Sequence, residues 1–427
     1  MTAPPPSWMY RAARHSEPSG TFIRPRPGVR RSRRGVVSGS SSGLAAAGTL
    51  AAGLLVTAVL VAGCGSTPTT NPAAATARPA PPPLATSFAG TAGSGWVIVQ
   101  MGESAAQHND FWQMFVRSAA TARWRQATPA GVAANGGLEA AAAGGSLVTG
   151  FRPSQDLTFS PLAASSNGGV SWSSSGPVYP GLADAPDALA AGSGGRLIAL
   201  TSGGGAESST SLGAKWARLT SVKALASTPA GRACGLTGLT AAAFGGSGAP
   251  VLAGSCGRPG AAGIFADSGG TWRAAGPALP AALARRDVEV LALASEGPGL
   301  VALLAAGSGR DATVTAAWSA GAGRWTLSAP LLLGAGQLTS TAVGSGGAVG
   351  VTLSTGRGET LAGPGASWRT LPALPRGTAA LALAAGGQAD AIVAHGGAFG
   401  DWRLGPAAAG WSLAQTINVT IPYGSSG

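Results

Sequence analysis

The chain has 427 residues, only 10% of them charged, and 69 glycines. Glu, Lys and Gln are scarce and no 3.6-residue apolar stripe is sustained, which argues against a helical architecture and for short strands joined by glycine-rich turns. Of the net charge of +12, eight Arg and one Glu ahead of Cys64 account for +7; the +5 left for the rest is too thinly spread for a nucleic-acid surface, which needs a basic stripe with interleaved aromatics.

Residues 1–43 are rich in Pro, Arg and Ser and carry no apolar periodicity, a composition expected to stay disordered. Arg30-Arg31-Ser32-Arg33-Arg34 closes this stretch, and a nearly uncharged run follows from Leu44 to Gly63. A positive segment, an apolar segment and small residues at a cut site are the parts of a secretory signal. Val61-Ala62-Gly63-Cys64 resembles the lipobox of bacterial lipoproteins. That resemblance implies cleavage before Cys64 and a diacylglycerol on its thiol, which would hold the chain at the outer face of the cell membrane. Twenty such residues could also cross a bilayer core of about 30 Å as an uncleaved anchor. Both uses place the bulk of the chain outside the cytoplasm. Ser32-Arg33-Arg34-Gly35-Val36-Val37 looks like a twin-arginine signal, which would mean export after folding. Six prolines then fall between Gly65 and Pro83. They suggest a polyproline spacer extending roughly 3.1 Å per residue. The expected division is a leader over 1–63, a flexible linker over 64–88 and a folded domain over 89–427.

Within that domain one grammar recurs: a short apolar strand, a glycine-rich turn, then a second apolar strand. Second strands are expected at Trp96–Met101, Leu147–Phe151, Leu197–Thr201, Val251–Ala253, Leu300–Leu304, Val349–Leu353 and Ala391–His395. A tryptophan follows each, at 124, 172, 216, 272, 325, 368 and 411, at intervals of 48, 44, 56, 53, 43 and 43 residues. Self-similarity at a period in the forties marks a propeller or solenoid array. The fullest copies are Ser165-Ser166-Asn167-Gly168-Gly169-Val170-Ser171-Trp172 and Asp267-Ser268-Gly269-Gly270-Thr271-Trp272. Asp, Asn and Ser bond back to a turn backbone, and glycine takes positive φ. The closing indole then starts a strand and buries a large ring.

This motif resembles the Asp-box, or bacterial neuraminidase repeat, which joins the third and fourth strands of a propeller blade. Asn167, Gly169 and Trp172 take its positions once, and Asp267, Gly269 and Trp272 again. With the seven repeats, the expectation is an all-β, seven-bladed β-propeller of four-stranded antiparallel blades, preceded by the signal segment and the Pro-rich linker. The box is a structural fastener in that family and implies no activity by itself. Ring closure is expected to pair Ile417–Tyr423 into the first blade; the alternative gives that strand to Leu84–Phe88 and leaves the C-terminal stretch on the last blade.

Cys234 and Cys256 are an even pair in an exported domain, which favours a disulfide. Two cysteines without a nearby histidine fall short of a tetrahedral metal site, and no metal or cofactor is expected. Glycoside hydrolysis would need two placed carboxylates or a tyrosine nucleophile with an acid. Only Tyr179 and Tyr423 follow Cys64, and the acidic residues stand isolated among Ala and Gly. The expected function is a monomeric, non-catalytic binding or assembly module that meets an envelope protein or glycan and no nucleic acid. The alternatives are a sialidase-like glycoside hydrolase and a purely structural envelope protein. The richest candidate binding loop holds Glu103, His108 and Asp110, with Arg152 in the next repeat.

Overall fold

The computed structural model describes residues 84–418 apart from 92–93, 102–110, 118–121, 128–138, 144–145, 151–161, 168, 175–185, 202, 212–215, 322, 384–387 and 396–397. Cys64, Glu103, His108, Asp110, Arg152, Tyr179 and Tyr423 lie outside the described residues.

Antiparallel neighbours need only a short turn between them, so each sheet assembles from strands consecutive in the chain. The first sheet is β1 (Leu84–Thr91), β2 (Ser94–Met101), β3 (Phe111–Arg117) and β4 (Arg125–Gln126). The second is β5 (Glu139–Ala143), β6 (Ser146–Gly150), β7 (Leu162–Ser165) and β8 (Ser173–Ser174). The third is β9 (Pro186–Ala191), β10 (Leu197–Thr201), β11 (Gly205–Ser209) and β12 (Ala217–Ser221).

A nine-stranded sheet follows. One half is β13 (Leu236–Phe244), β14 (Pro250–Cys256), β15 (Ile264–Ser268) and β16 (Thr271–Ala274). The other is β17 (Val288–Glu296), β18 (Gly299–Ala306), β19 (Thr313–Ser319), β20 (Trp325–Leu327) and the short β21 (Leu331–Leu332). The halves meet through Ser255 opposite Glu289. Next come β22 (Leu338–Val343), β23 (Val349–Leu353), β24 (Gly358–Leu361) and β25 (Arg369–Thr370). The last sheet is β26 (Thr378–Leu383), β27 (Ala389–His395), β28 (Ala398–Leu404) and β29 (Ser412–Asn418).

The first strands stand beside one another in turn, β1 by β5, then β9, β13, β17, β22 and β26, and β26 returns to β1. The sheets therefore surround one axis, as in a β-propeller, with first strands inward. The cores lie between sheets. Val301, Leu303 and Val314 pack on Val349, Val351 and Leu361, and Ile198 and Leu200 share a cluster with Phe244, Phe265 and Trp272. The second strands β10, β18 and β23 are buried throughout, so both their faces are covered. Double burial is why they read as unbroken apolar runs between glycine turns.

Two short helices interrupt the pattern between β12 and β13: α1 (Val222–Ala226), capped by the Ser221 hydroxyl, and α2 (Pro229–Cys234), capped by that of Thr228. α2 ends on Cys234, which is disulfide-bonded to Cys256 at the end of β14. Among the described residues no helix is long and apolar enough to cross a membrane.

The ring closes differently from the primary expectation. Ile417 and Asn418 belong to β29 and pair with Phe399 and Ala398 of β28, not with the first sheet. The first sheet takes β1 instead, whose residues from Phe88 to Thr91 pair with Val97 to Ser94. A local hairpin costs less loop-closure entropy than pairing with a strand from the far end of the chain. β1 also begins at Leu84, within the 64–88 stretch assigned to the linker, directly after the last proline.

Candidate functional site

The box positions are turns. The Asn167 carboxamide oxygen accepts from Ser171 N at 2.9 Å, and Ser165 Oγ accepts from Gly169 N at 2.7 Å. Gly169 has φ +78°, and a Cβ there would stand 2.8 Å from Val116 Cγ2 of the first sheet. The turn is thus wedged against its neighbour. In the second copy, Asp267 Oδ1 accepts from Gly270 N at 2.8 Å around Gly269, and Trp272 is buried.

Three of the tryptophans tie their sheet, or half-sheet, to the one before it. Trp325 Nε1 donates to Ala275 O at 2.8 Å, Trp368 Nε1 to Ala329 O at 2.9 Å and Trp411 Nε1 to Pro372 O at 3.1 Å. Each acceptor lies in the segment that leaves the preceding sheet's outermost strand. Where the last sheet meets the first, the two are far apart in sequence and no such segment links them. Trp124 Nε1 there donates to the Asp401 carboxylate at 2.9 Å, and Trp124 N to Gln415 Oε1 at 3.0 Å.

That seam carries the largest charge cluster among the described residues. The fully buried Arg117 bonds Asp390 Oδ2 at 2.5 Å and also Asp401 Oδ2, while its guanidinium lies 5.0 Å over the Trp124 ring. Arg403 Nη2 reaches Asp401 at 3.2 Å. Phe115 meets Phe399 edge-on at 5.3 Å beside them. Burial pushes the Asp390 carboxyl above the usual carboxylate range, opposed by the Arg117 charge. The two guanidinium and two carboxylate charges cancel, and the Arg117 and Asp401 side chains are fully buried between the last sheet and the first. Its chemistry is closure.

Other carboxylates are also engaged by the fold. Glu359 Oε1 accepts from Thr370 and pairs with Arg357, and Glu296 caps Gly346 N at 3.0 Å. Glu289 on β17 differs. Burial raises its pKa from 4.5 to about 7, and its Oε2 has no hydrogen-bond partner among the described residues. Between those values the folded chain holds a proton that the unfolded chain has lost, so stability falls as pH rises from 4.5 to 7. Glu289→Gln is expected to remove this loss. It should raise unfolding free energy by ~1–2 kcal/mol at pH 8, a discounted share of about 1.4 kcal/mol per pKa unit, and change nothing at pH 4. Urea unfolding at the two pH values checks this.

A cleft of about 500 Å³ lies on the last sheet, lined by Trp402, Trp411, Leu413, Arg376, Pro372 and Pro375 among others. That volume falls within the range of small-ligand and side-chain pockets. Gly400 forms part of its floor: a Cβ there would come within 2.7 Å of Trp402 Nε1 and 2.9 Å of Leu413 Cδ1, so only glycine lets these groups lie across the strand. The lining has one cation, Arg376, and no carboxylate. Such a surface can stack on a flat or apolar group and bind an anion beside it. Among the described residues no group of His, Cys, Asp or Glu is placed to hold a metal ion.

Sequence reasoning did not single out Arg117, Asp390, Asp401, Arg376 or Trp402. The available signal was Asp390 and Asp401 standing inside apolar strand patterns, which marks charges that must be buried and paired.

No protein-family model matches the chain, and no curated protein matches it. Among solved structures, a protein from Lactobacillus plantarum is 8% identical, with 76% of this chain and 96% of that one covered and a TM-score of 0.48. YCF48 from Cyanidioschyzon merolae is 14% identical over 75% and 95%, with a TM-score of 0.46. The β-propeller domain of the Trilobed protease from Pyrococcus furiosus, described as having an open velcro topology, is 6% identical over 80% and 97%, with a TM-score of 0.45. The propeller assignment here rests on the ring of sheets described above.

Proposed function

We propose that this chain is an exported, lipid-anchored β-propeller of seven four-stranded blades that acts as a non-catalytic binding or assembly module at the outer face of the cell membrane. The observation that carries the binding role is the cleft on the last sheet, in which two indoles, Leu413 and Arg376 converge without a carboxylate. A glycoside hydrolase would place a pair of acids about 5–10 Å apart across such a cleft. Asp390 and Asp401 are the paired acids nearest in kind, and Arg117 occupies them. Seven blades follow if the nine-stranded sheet counts as two, since a single residue pair joins its halves.

The anchor rests on Val61-Ala62-Gly63-Cys64. Cys64→Ser is expected to abolish incorporation of labelled palmitate in cells and to move the protein from the membrane fraction. Absence of label on the unaltered chain would overturn the lipid anchor, and label retained by the variant would move it away from Cys64. For the binding role, the test is turnover of a fluorogenic glycoside panel. Hydrolysis that disappears on replacing a carboxylate would replace this reading with the sialidase-like one.

A further inference from the structure

The outermost strands of most sheets are short. β4, β8 and β25 have two residues each and β20 has three. β29 runs seven, with the sequence Ser-Leu-Ala-Gln-Thr-Ile-Asn, and among the described residues it pairs only with β28. Sheet edges are usually guarded by shortness, charge, proline or a bulge. β29 is long, uncharged and proline-free, and its one irregularity is a bulge at Ala414, between Leu413 opposite Trp402 and Gln415 opposite Asp401. At about 3.4 Å per residue it offers a row of main-chain donors and acceptors over roughly 24 Å.

The cleft is built against this same edge. Leu413 and Thr416 of β29 line it together with Trp402, Trp411 and Arg376, and Leu413 is 50% exposed. We propose that β29 is a docking edge to which an extended peptide of another protein adds as a further strand, with alternate side chains reaching the cleft. An apolar or aromatic side chain rests on Trp402 and Leu413 over Gly400, and an acidic one pairs with Arg376. Main-chain bonds along the edge supply affinity, and the cleft supplies selectivity. A second copy of this chain fits less well, because Ser412–Asn418 brings no carboxylate to Arg376. The proposal deepens the binding-module reading above and rests on it.

The probe is a set of peptides selected on the full chain from a random displayed library, each resynthesised with single backbone N-methyl groups. Binding is expected to weaken at every second methylated position, by about tenfold, as one main-chain bond is lost. Arg376→Gln, an exposed change that leaves the unfolding midpoint unaltered, should weaken acidic peptides by about tenfold and leave neutral ones alone. Gly400→Val should weaken all of them by filling the floor of the cleft. If that variant shifts the unfolding midpoint, the methylation pattern and Arg376→Gln decide. Peptides insensitive to both methylation and Arg376→Gln would overturn the docking edge while leaving a binding module that works elsewhere. Self-association of the chain competed by the same peptides would assign the edge to a second copy and overturn the proposal. Failure to select any peptide would overturn it too, and capture of a glycan in a parallel array would keep the binding module with a different ligand.

Discussion

Arg117→Met is expected to lower the unfolding free energy by ~3 kcal/mol, the low end of the usual cost of breaking a buried pair, because Arg403 still reaches both carboxylates. The physical reason is specific to the seam. The Asp401 side chain has no exposure and the Asp390 side chain is 8% exposed, so neither can recover water when the guanidinium is removed. Arg117 also spans the ring closure, bonding residues 273 and 284 positions away. Loss should therefore be local before it is global. Amide exchange is expected to accelerate first in β1 to β3 and β26 to β29, with β13 to β20 protected as before. Placing Arg117→Met in an Asp390→Asn, Asp401→Asn background should cost much less, because no buried carboxylate is then stranded. An exposed arginine provides the control: Arg369→Met should change stability by no more than about 0.5 kcal/mol. Equal effects at Arg117 and Arg369 would remove the seam cluster from any account of closure.

The second large effect is expected at the disulfide. Cys234→Ala with Cys256→Ala should cost ~3 kcal/mol, the chain-entropy value for a loop of this size, given a separation of 22 residues. The bridge ties α2 to the end of β14, and both sulfurs lie in the core shared with Leu225, Leu236 and Trp272. Reductant should reproduce the double variant's urea midpoint. Exchange should quicken across Val222–Cys234 before it does in β14. A midpoint unmoved by both treatments would make the bridge ornamental to stability.

Much of the architecture is legible in the sequence. The second strands fall where the apolar runs lie, as at Leu197–Thr201 and Val349–Leu353, because a strand buried on both faces has few polar positions to blur the run. The outermost strands were not legible in the same way. Ser173–Ser174 and Arg369–Thr370 are two residues long and carry no period. The cleft was invisible for a related reason: Arg376, Gly400, Trp402 and Leu413 belong to a loop and two strands, and only packing brings them to one place. The polar loop holding Glu103, His108 and Asp110, the candidate that the sequence favours, lies outside the described residues.

By itself the sequence determined the rhythm: which residues turn, which run apolar and where the indole of each repeat falls. These are short-range matters of alternation, glycine and side-chain-to-backbone bonding, which adjacent residues settle among themselves. Only the tertiary structure decided how the ring shuts. β1 rather than the C-terminal stretch completes the first sheet, and Trp124 turns to the Asp401 carboxylate where its counterparts at 325, 368 and 411 use a backbone carbonyl. That choice is made between groups far apart in the chain, by complementary charge and shape across a seam that no connecting segment spans, and no local pattern records it.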